Sequence, residues 1–67
     1  MEKNWEKIYA SAQQHQVSIV KALLDENDIK SVEINKKDSS YAFGEIELYV
    51  DRENIIKAKY IITKNNL

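Results

Sequence analysis

The stretch Glu45-Ile46-Glu47-Leu48-Tyr49-Val50 has the most regular alternation of apolar and polar residues in the chain. An extended backbone places successive side chains on opposite faces, so the apolar residues share one face and the polar residues share the other. The apolar set is Ile46, Leu48 and Val50, and the polar set is Glu45, Glu47 and Tyr49. This pattern predicts a half-buried β-strand, with one face against a hydrophobic core and the other toward solvent.

Two shorter segments upstream alternate in the same way and predict two further strands, over residues 5–10 and 31–35. The side chains predicted to point into the core are Ile8, Ala10, Val32 and Ile34. Those predicted to face solvent are Lys7, Tyr9 and Glu33. Residues 36–44 form a polar connection between the second and third strands, which is longer than a tight hairpin turn and ends at the only glycine in the chain.

Two helices are predicted where apolar residues recur three and four positions apart. The first is expected to begin after Ser11, acting as its N-cap, and to end near Asn27. Asn27-Asp28 is suited to a left-handed stop because short polar side chains tolerate a positive φ, and Ile29 is then expected to fold back onto the helix end. The second helix is expected to begin after Asp51, which is a favourable N-cap residue.

The resulting order, β-α-β-β-α, predicts a ferredoxin-like α+β fold in which residues 1–67 form a single domain. Right-handed crossovers place both helices on one face of a mostly antiparallel three-stranded sheet, with the first and third strands as neighbours. The predicted core consists of Ile8, Ala10, Val17, Val20, Leu23, Leu24, Ile29, Val32, Ile34, Ile46, Leu48, Val50, Ile55, Ala58 and Ile62.

The composition argues against several classes of function. Ten basic and eleven acidic residues give a net charge of −1 and a pI near 5.7, whereas domains that bind nucleic acid are usually basic. Cysteine is absent and there is one histidine, so we expect no catalytic residues, no metal site and no cofactor. No apolar run is long enough to cross a membrane and no signal peptide is visible, so a cytoplasmic location is expected.

Two stretches of the sequence carry a family resemblance. One is WEKIY (residues 5–9) with IVKALLDEN (residues 19–27), and the other is NKKDSSY (residues 35–41) with FGEIELYV (residues 43–50). Together they resemble the putative prokaryotic signal-transducing proteins, a small bacterial domain-of-unknown-function family common in Bacteroidetes. The resemblance covers nearly the whole chain and implies a ferredoxin-like fold and a signalling role, without catalytic residues. By analogy with nitrogen-regulatory proteins, which bind partners at the same loop, Tyr41 is a candidate for partner contact or modification.

The loop and the sheet face opposite the helices are the candidate binding surfaces. The loop residues are Lys36, Lys37, Asp38, Ser39, Ser40, Tyr41 and Phe43. On the sheet face the candidates are Tyr9, Glu47 and Tyr49, with the two tyrosines close together because their strands are neighbours. Aromatic side chains beside carboxylates on an uncovered face are typical of a docking surface. The sequence therefore favours a non-enzymatic interaction module that binds an unknown protein partner.

Other interpretations of the same residues remain open. The loop also fits a sensor that binds a small anionic metabolite at Lys36, Lys37 and Ser39, or a purely solvated turn. The sheet face also fits a solvated surface, and the exposed edge of the first strand fits a homodimer formed by edge pairing or by stacking of sheet faces. Binding of RNA to the sheet aromatics is disfavoured, because the glutamates on the strands repel phosphate groups.

Overall fold

The computed structural model describes residues 4–36 and 44–67. Its elements are, in chain order, β1 (Trp5–Ser11), α1 (Gln14–Glu26), β2 (Ser31–Asn35), β3 (Ile46–Asp51), a 3₁₀ turn (Arg52–Asn54) and α2 (Ile55–Lys64). Both β1 and β2 pair antiparallel with β3, so the sheet order is β1-β3-β2. The predicted α+β fold with the order β-α-β-β-α is therefore confirmed, and the first and third strands are neighbours as expected.

The hydrophobic core lies between the central strand β3 and the two helices. The three predicted core residues of β3, Ile46, Leu48 and Val50, are at most 1% exposed. They pack with seven further buried residues: Val17, Val20, Leu24, Ile29, Ala58, Ile61 and Ile62. Within these ten residues, Ile61 alone is outside the predicted core. Because residues of α1 and α2 share one core with the same face of β3, both helices lie on one side of the sheet.

A β-bulge interrupts β1. The pairing register with β3 shifts between Lys7 and Tyr9, so Ile8 is the extra residue. Before the bulge the strand alternates as predicted, and Trp5 and Lys7 lie on the face away from the helices. After the bulge the alternation is reversed.

The bulge overturns two predictions from the sequence. Tyr9 lies opposite Leu48 and packs against the core, whereas Ala10 lies opposite Glu47 on the other face. The prediction that Tyr9 faces solvent beside Tyr49 is therefore wrong, and so is the prediction that Ala10 enters the core. Directly paired residues share a face of the sheet, and one inserted residue moves every later side chain to the opposite face.

The register of β2 also differs from the prediction. Val32 lies opposite Tyr49 and Ile34 lies opposite Glu47, so both aliphatic side chains face away from the helices. The prediction that Val32 and Ile34 enter the core is therefore wrong. Val32 is 37% exposed and Ile34 is half-buried.

Ser31 and Glu33 take the positions of β2 that face the helices. Ile29 is held in the core two residues before Ser31, and an extended chain places residues two apart on the same face. The buried Ser31 is satisfied by the Lys21 ammonium, which donates to its carbonyl oxygen (3.1 Å) and its hydroxyl (3.4 Å). Glu33 lies at the sheet edge, where its carboxylate accepts hydrogen bonds from the Gln14 amide (3.4 Å). Polar partners therefore stabilise a register that the apolar pattern does not predict.

Both helices end in a Schellman motif without glycine. Asp28 has a φ of 60°, and the Ile29 N–H donates to the Leu24 carbonyl oxygen (2.9 Å). This confirms the predicted left-handed stop and the return of the chain onto the helix. The end of α2 repeats the motif, with a φ of 57° at Asn66 and an apolar Leu67 packed against the core.

The two predicted helix starts have different outcomes. Ser11 is the last residue of β1 rather than the N-cap of α1, and its hydroxyl accepts a hydrogen bond from the Gln13 N–H (3.0 Å). Gln13 is the N-cap, so the helix begins later than predicted. Asp51 does act as a cap, because its carboxylate accepts from the Glu53 N–H (3.0 Å) in the 3₁₀ turn that leads into α2.

Candidate functional site

The sheet face away from the helices brings together side chains from all three strands. We call it the open face, and its residues are Trp5, Lys7, Ala10, Val32, Ile34, Glu47, Tyr49 and Asp51. In the described part of the chain, both helices pack on the other side of the sheet and neither covers the open face. Aromatic and aliphatic side chains therefore remain partly exposed around its charged centre.

Glu47 is the centre of a charged network on the open face. Its carboxylate lies 3.4 Å from the Lys7 ammonium and 3.3 Å from the Lys36 ammonium, and each lysine contacts a different carboxylate oxygen. The Tyr49 hydroxyl donates a hydrogen bond of 2.8 Å to the same carboxylate. Only 13% of the Glu47 side chain is exposed, whereas the two lysine side chains are 51% and 57% exposed. The network therefore holds one carboxylate between two accessible cations.

The network shifts the pKa values of two of its members. The hydrogen bond from Tyr49 is the main cause that lowers the pKa of Glu47; Lys36 and Lys7 lower it further, and burial opposes them. The same hydrogen bond raises the pKa of Tyr49, because the hydroxyl must keep its proton to donate it to a carboxylate. Glu47 is thus a stable anion and a weak base, which suits a structural or binding role better than proton transfer.

The acid side of the stability profile is expected to depend on Glu47. Because the pKa of Glu47 is lower in the folded protein than in the unfolded chain, its ionised form stabilises the fold above the ordinary glutamate pKa. This stabilisation is lost as the pH falls through the lowered pKa. Urea unfolding of wild type and Glu47→Gln between neutral and acid pH should therefore show a difference in stability that shrinks as the pH falls.

Glu26→Gln is the matched control for this experiment, because it removes a carboxylate from the exposed surface of α1. A constant difference between wild type and Glu47→Gln at every pH would contradict the role assigned to the network.

The structure places only part of the predicted loop site. Lys36 is described, and its backbone N–H donates to the Glu45 carbonyl oxygen (3.0 Å), which extends the pairing of β2 with β3 by one residue. This pairing brings the Lys36 side chain to Glu47. The other predicted loop residues, Lys37, Asp38, Ser39, Ser40, Tyr41 and Phe43, lie outside the described residues.

The structure changes which sheet residues belong to the candidate site. Glu47 and Tyr49 lie on the open face as predicted, and Tyr9 does not. The open-face residues outside the predicted site are Trp5, Lys7, Ala10, Val32, Ile34 and Asp51. Lys7 was recognisable as a solvent-facing strand residue, but its distance to Glu47 depends on the pairing register. The alternation of β2 does not show which set of its side chains faces the helices, because an edge strand can place either set on that side.

A shallow depression of about 260 Å³ lies at the end of α1 and is lined by Asp25, Asp28, Ile29 and Lys30. It surrounds the Schellman turn, whose N–H groups are bonded to carbonyl oxygens of the helix. In residues 4–36 and 44–67, no group of three or more histidine, aspartate or glutamate side chains is arranged to bind a metal ion. Among the described helices, none combines the length and the apolar character that a membrane span requires.

The chain matches a model of a known protein family. A family model with the description "Putative prokaryotic signal transducing protein" matches residues 5–66. No curated protein and no solved structure matches the chain. The matched segment runs from β1 through α2 and contains every residue of the open face, and the family description names signal transduction without naming a reaction.

Proposed function

We propose that this chain, which belongs to the family of putative prokaryotic signal transducing proteins, is a non-enzymatic module that binds a protein partner through its open face. The observation that carries the proposal is the open face itself. It combines partly exposed aromatic and aliphatic side chains with a fixed charged centre, and no described helix covers it. Aromatic side chains are enriched in protein interfaces relative to the rest of the surface.

The state of Glu47 favours binding over catalysis. Its carboxylate contacts Lys7, Lys36 and Tyr49 at once, so it is oriented and stabilised as an anion. A general acid or base needs a pKa close to the working pH, and the network moves the pKa of Glu47 in the opposite direction. A preorganised charge pattern, in contrast, lowers the cost of ordering side chains when a partner binds.

Lys36 connects the open face to the predicted loop site. Its ammonium contacts Glu47, so the first residue of the loop is part of the same surface. A small anion bound at Lys36 alone would leave the aromatic and aliphatic side chains of the open face uncovered. We therefore favour a protein partner over the small anionic ligand that the loop sequence also suggests.

A pull-down from a lysate of the source organism tests the proposed function with two matched variants. Val32→Asp places a carboxylate on the open face, and Ile19→Asp places one on the outer surface of α1; the two side chains are 37% and 45% exposed. We expect partner proteins to be retained by wild type and Ile19→Asp and to fall at least about tenfold with Val32→Asp. Circular dichroism confirms that both variants are folded.

Two outcomes would contradict the proposal. One is the retention of the same proteins, in the same amounts, by wild type and Val32→Asp. The other is the absence of any retained protein together with a saturable rise in melting temperature when the small-molecule fraction of the lysate is added. The second outcome would favour the metabolite sensor.

A further inference from the structure

We infer that the open face binds a partner segment in which a carboxylate stands next to apolar side chains. This inference rests on the proposed function and names the chemistry of its partner. Two features of the open face support it: the charge at its centre and the apolar side chains at its border.

The network of Lys7, Lys36 and Glu47 at the centre of the open face has a net positive charge. Lys7 and Lys36 share the single carboxylate of Glu47, so two positive charges meet one negative charge. Each ammonium has three N–H donors and contacts one oxygen of Glu47, and more than half of each lysine side chain is exposed. A carboxylate from a partner would therefore find hydrogen-bond donors on both sides of Glu47, whereas a lysine or arginine would meet like charge.

The apolar border lies on β1, which carries Lys7, and on β2, which Lys36 directly follows. Val32 and Ile34 border the network on β2, opposite Tyr49 and Glu47. On β1, Trp5 occupies the same face and is half-buried. A partner that places a carboxylate over the lysines would therefore set its neighbouring side chains on aliphatic and aromatic surface, where burial is favourable.

The surroundings favour a short acidic segment over a polyanion. Asp51 lies opposite Trp5 at one end of the open face, and the whole chain carries a net charge of −1. A nucleic acid binds through many phosphate contacts. It would therefore extend beyond the two lysines and be repelled by the Asp51 carboxylate. One carboxylate with apolar neighbours needs only the central part of the face.

Selection from a phage library of random dodecapeptides tests the inference. The full chain is immobilised as wild type, as Lys7→Ala/Lys36→Ala, and as the control Lys30→Ala/Lys59→Ala, which removes two exposed lysines outside the open face. We expect peptides enriched on wild type to contain aspartate or glutamate beside apolar residues. Their affinity should fall at least about tenfold on Lys7→Ala/Lys36→Ala and less than about twofold on the control.

Further variants separate a loss of charge from a loss of structure. Lys7→Arg/Lys36→Arg keeps both charges and should retain binding of the enriched peptides. Enriched peptides without carboxylates, or acidic peptides that bind equally to the alanine variant, would overturn the inference. If the enriched peptides in either case no longer bind to Val32→Asp, the proposed interaction face stands and only its charge preference is wrong. If no peptide is enriched, or if Val32→Asp has no effect either, the inference and the proposed function both fail.

Discussion

Leu48→Ala is expected to lower the free energy of unfolding by about 2–5 kcal/mol, because it leaves a cavity in the centre of the core. Leu48 is fully buried on the central strand and belongs to the cluster that includes side chains of both helices. A chain of this length has a total stability of roughly 3–10 kcal/mol. The variant should therefore lose a large part of its stability and unfold at a much lower urea concentration.

Val32→Ala is the matched control for Leu48→Ala. Val32 lies on the open face and is 37% exposed, so its truncation is expected to cost less than about 1 kcal/mol. Urea unfolding followed by circular dichroism gives both values. Equal losses for the two variants would mean that the core does not lie between β3 and the helices.

Tyr9→Ala is expected to cost roughly 1–3 kcal/mol, because the bulge turns the Tyr9 ring toward the core. Tyr9 is half-buried and packs against the core cluster. Truncation of a fully buried aromatic residue usually costs more, and the partial exposure of Tyr9 reduces the expected value. The same urea experiment measures the change.

Tyr60→Ala provides the same chemical change on the surface. Tyr60 is 64% exposed on α2 and its ring lies 5.9 Å from the Lys64 ammonium, so its removal is expected to cost less than about 1 kcal/mol. If Tyr9→Ala were as mild as Tyr60→Ala, the ring of Tyr9 would not contribute to the core. The regular alternation predicted from the sequence would then describe β1 better than the bulge.

The features that the sequence predicted correctly depend on local patterns. The inward face of β3 was predictable because a central strand is paired on both sides and its alternation reports burial directly. The end of α1 was predictable because Asp28 and Ile29 suit the two positions of a Schellman motif. The cap at Asp51 is also a local signal, since its carboxylate bonds to an N–H two residues along the chain.

The features that were not predictable depend on pairing between distant residues. The bulge at Ile8 has no composition signal of its own and follows from the way β1 fits against β3. The orientation of β2 follows from Ile29 in the core and from Lys21, which satisfies the buried Ser31. Neither contact is visible in the alternation of an edge strand.

In the candidate site, too, some features follow from local patterns and others from pairing between distant residues. Glu47 and Tyr49 are predicted members because their positions on β3 follow from alternation. The contact between Glu47 and Lys7 joins residues forty positions apart, and no local pattern predicts such a contact. The replacement of Tyr9 by aliphatic side chains of β2 follows from the bulge and from the β2 register together.

The strand order β1-β3-β2 also has a consequence for the time course of folding. β2 and β3 are consecutive strands, whereas β1 must close a much longer loop to reach β3. The entropic cost of closing a loop rises with its length, so pairing of β1 with β3 is expected to be slower. Proline is absent from the chain, so no slow proline isomerisation delays refolding. We therefore expect the docking of the N-terminal strand to be the rate-limiting step of folding. Since Lys7 arrives with that strand, the surface proposed for signalling is complete only when the whole domain has folded.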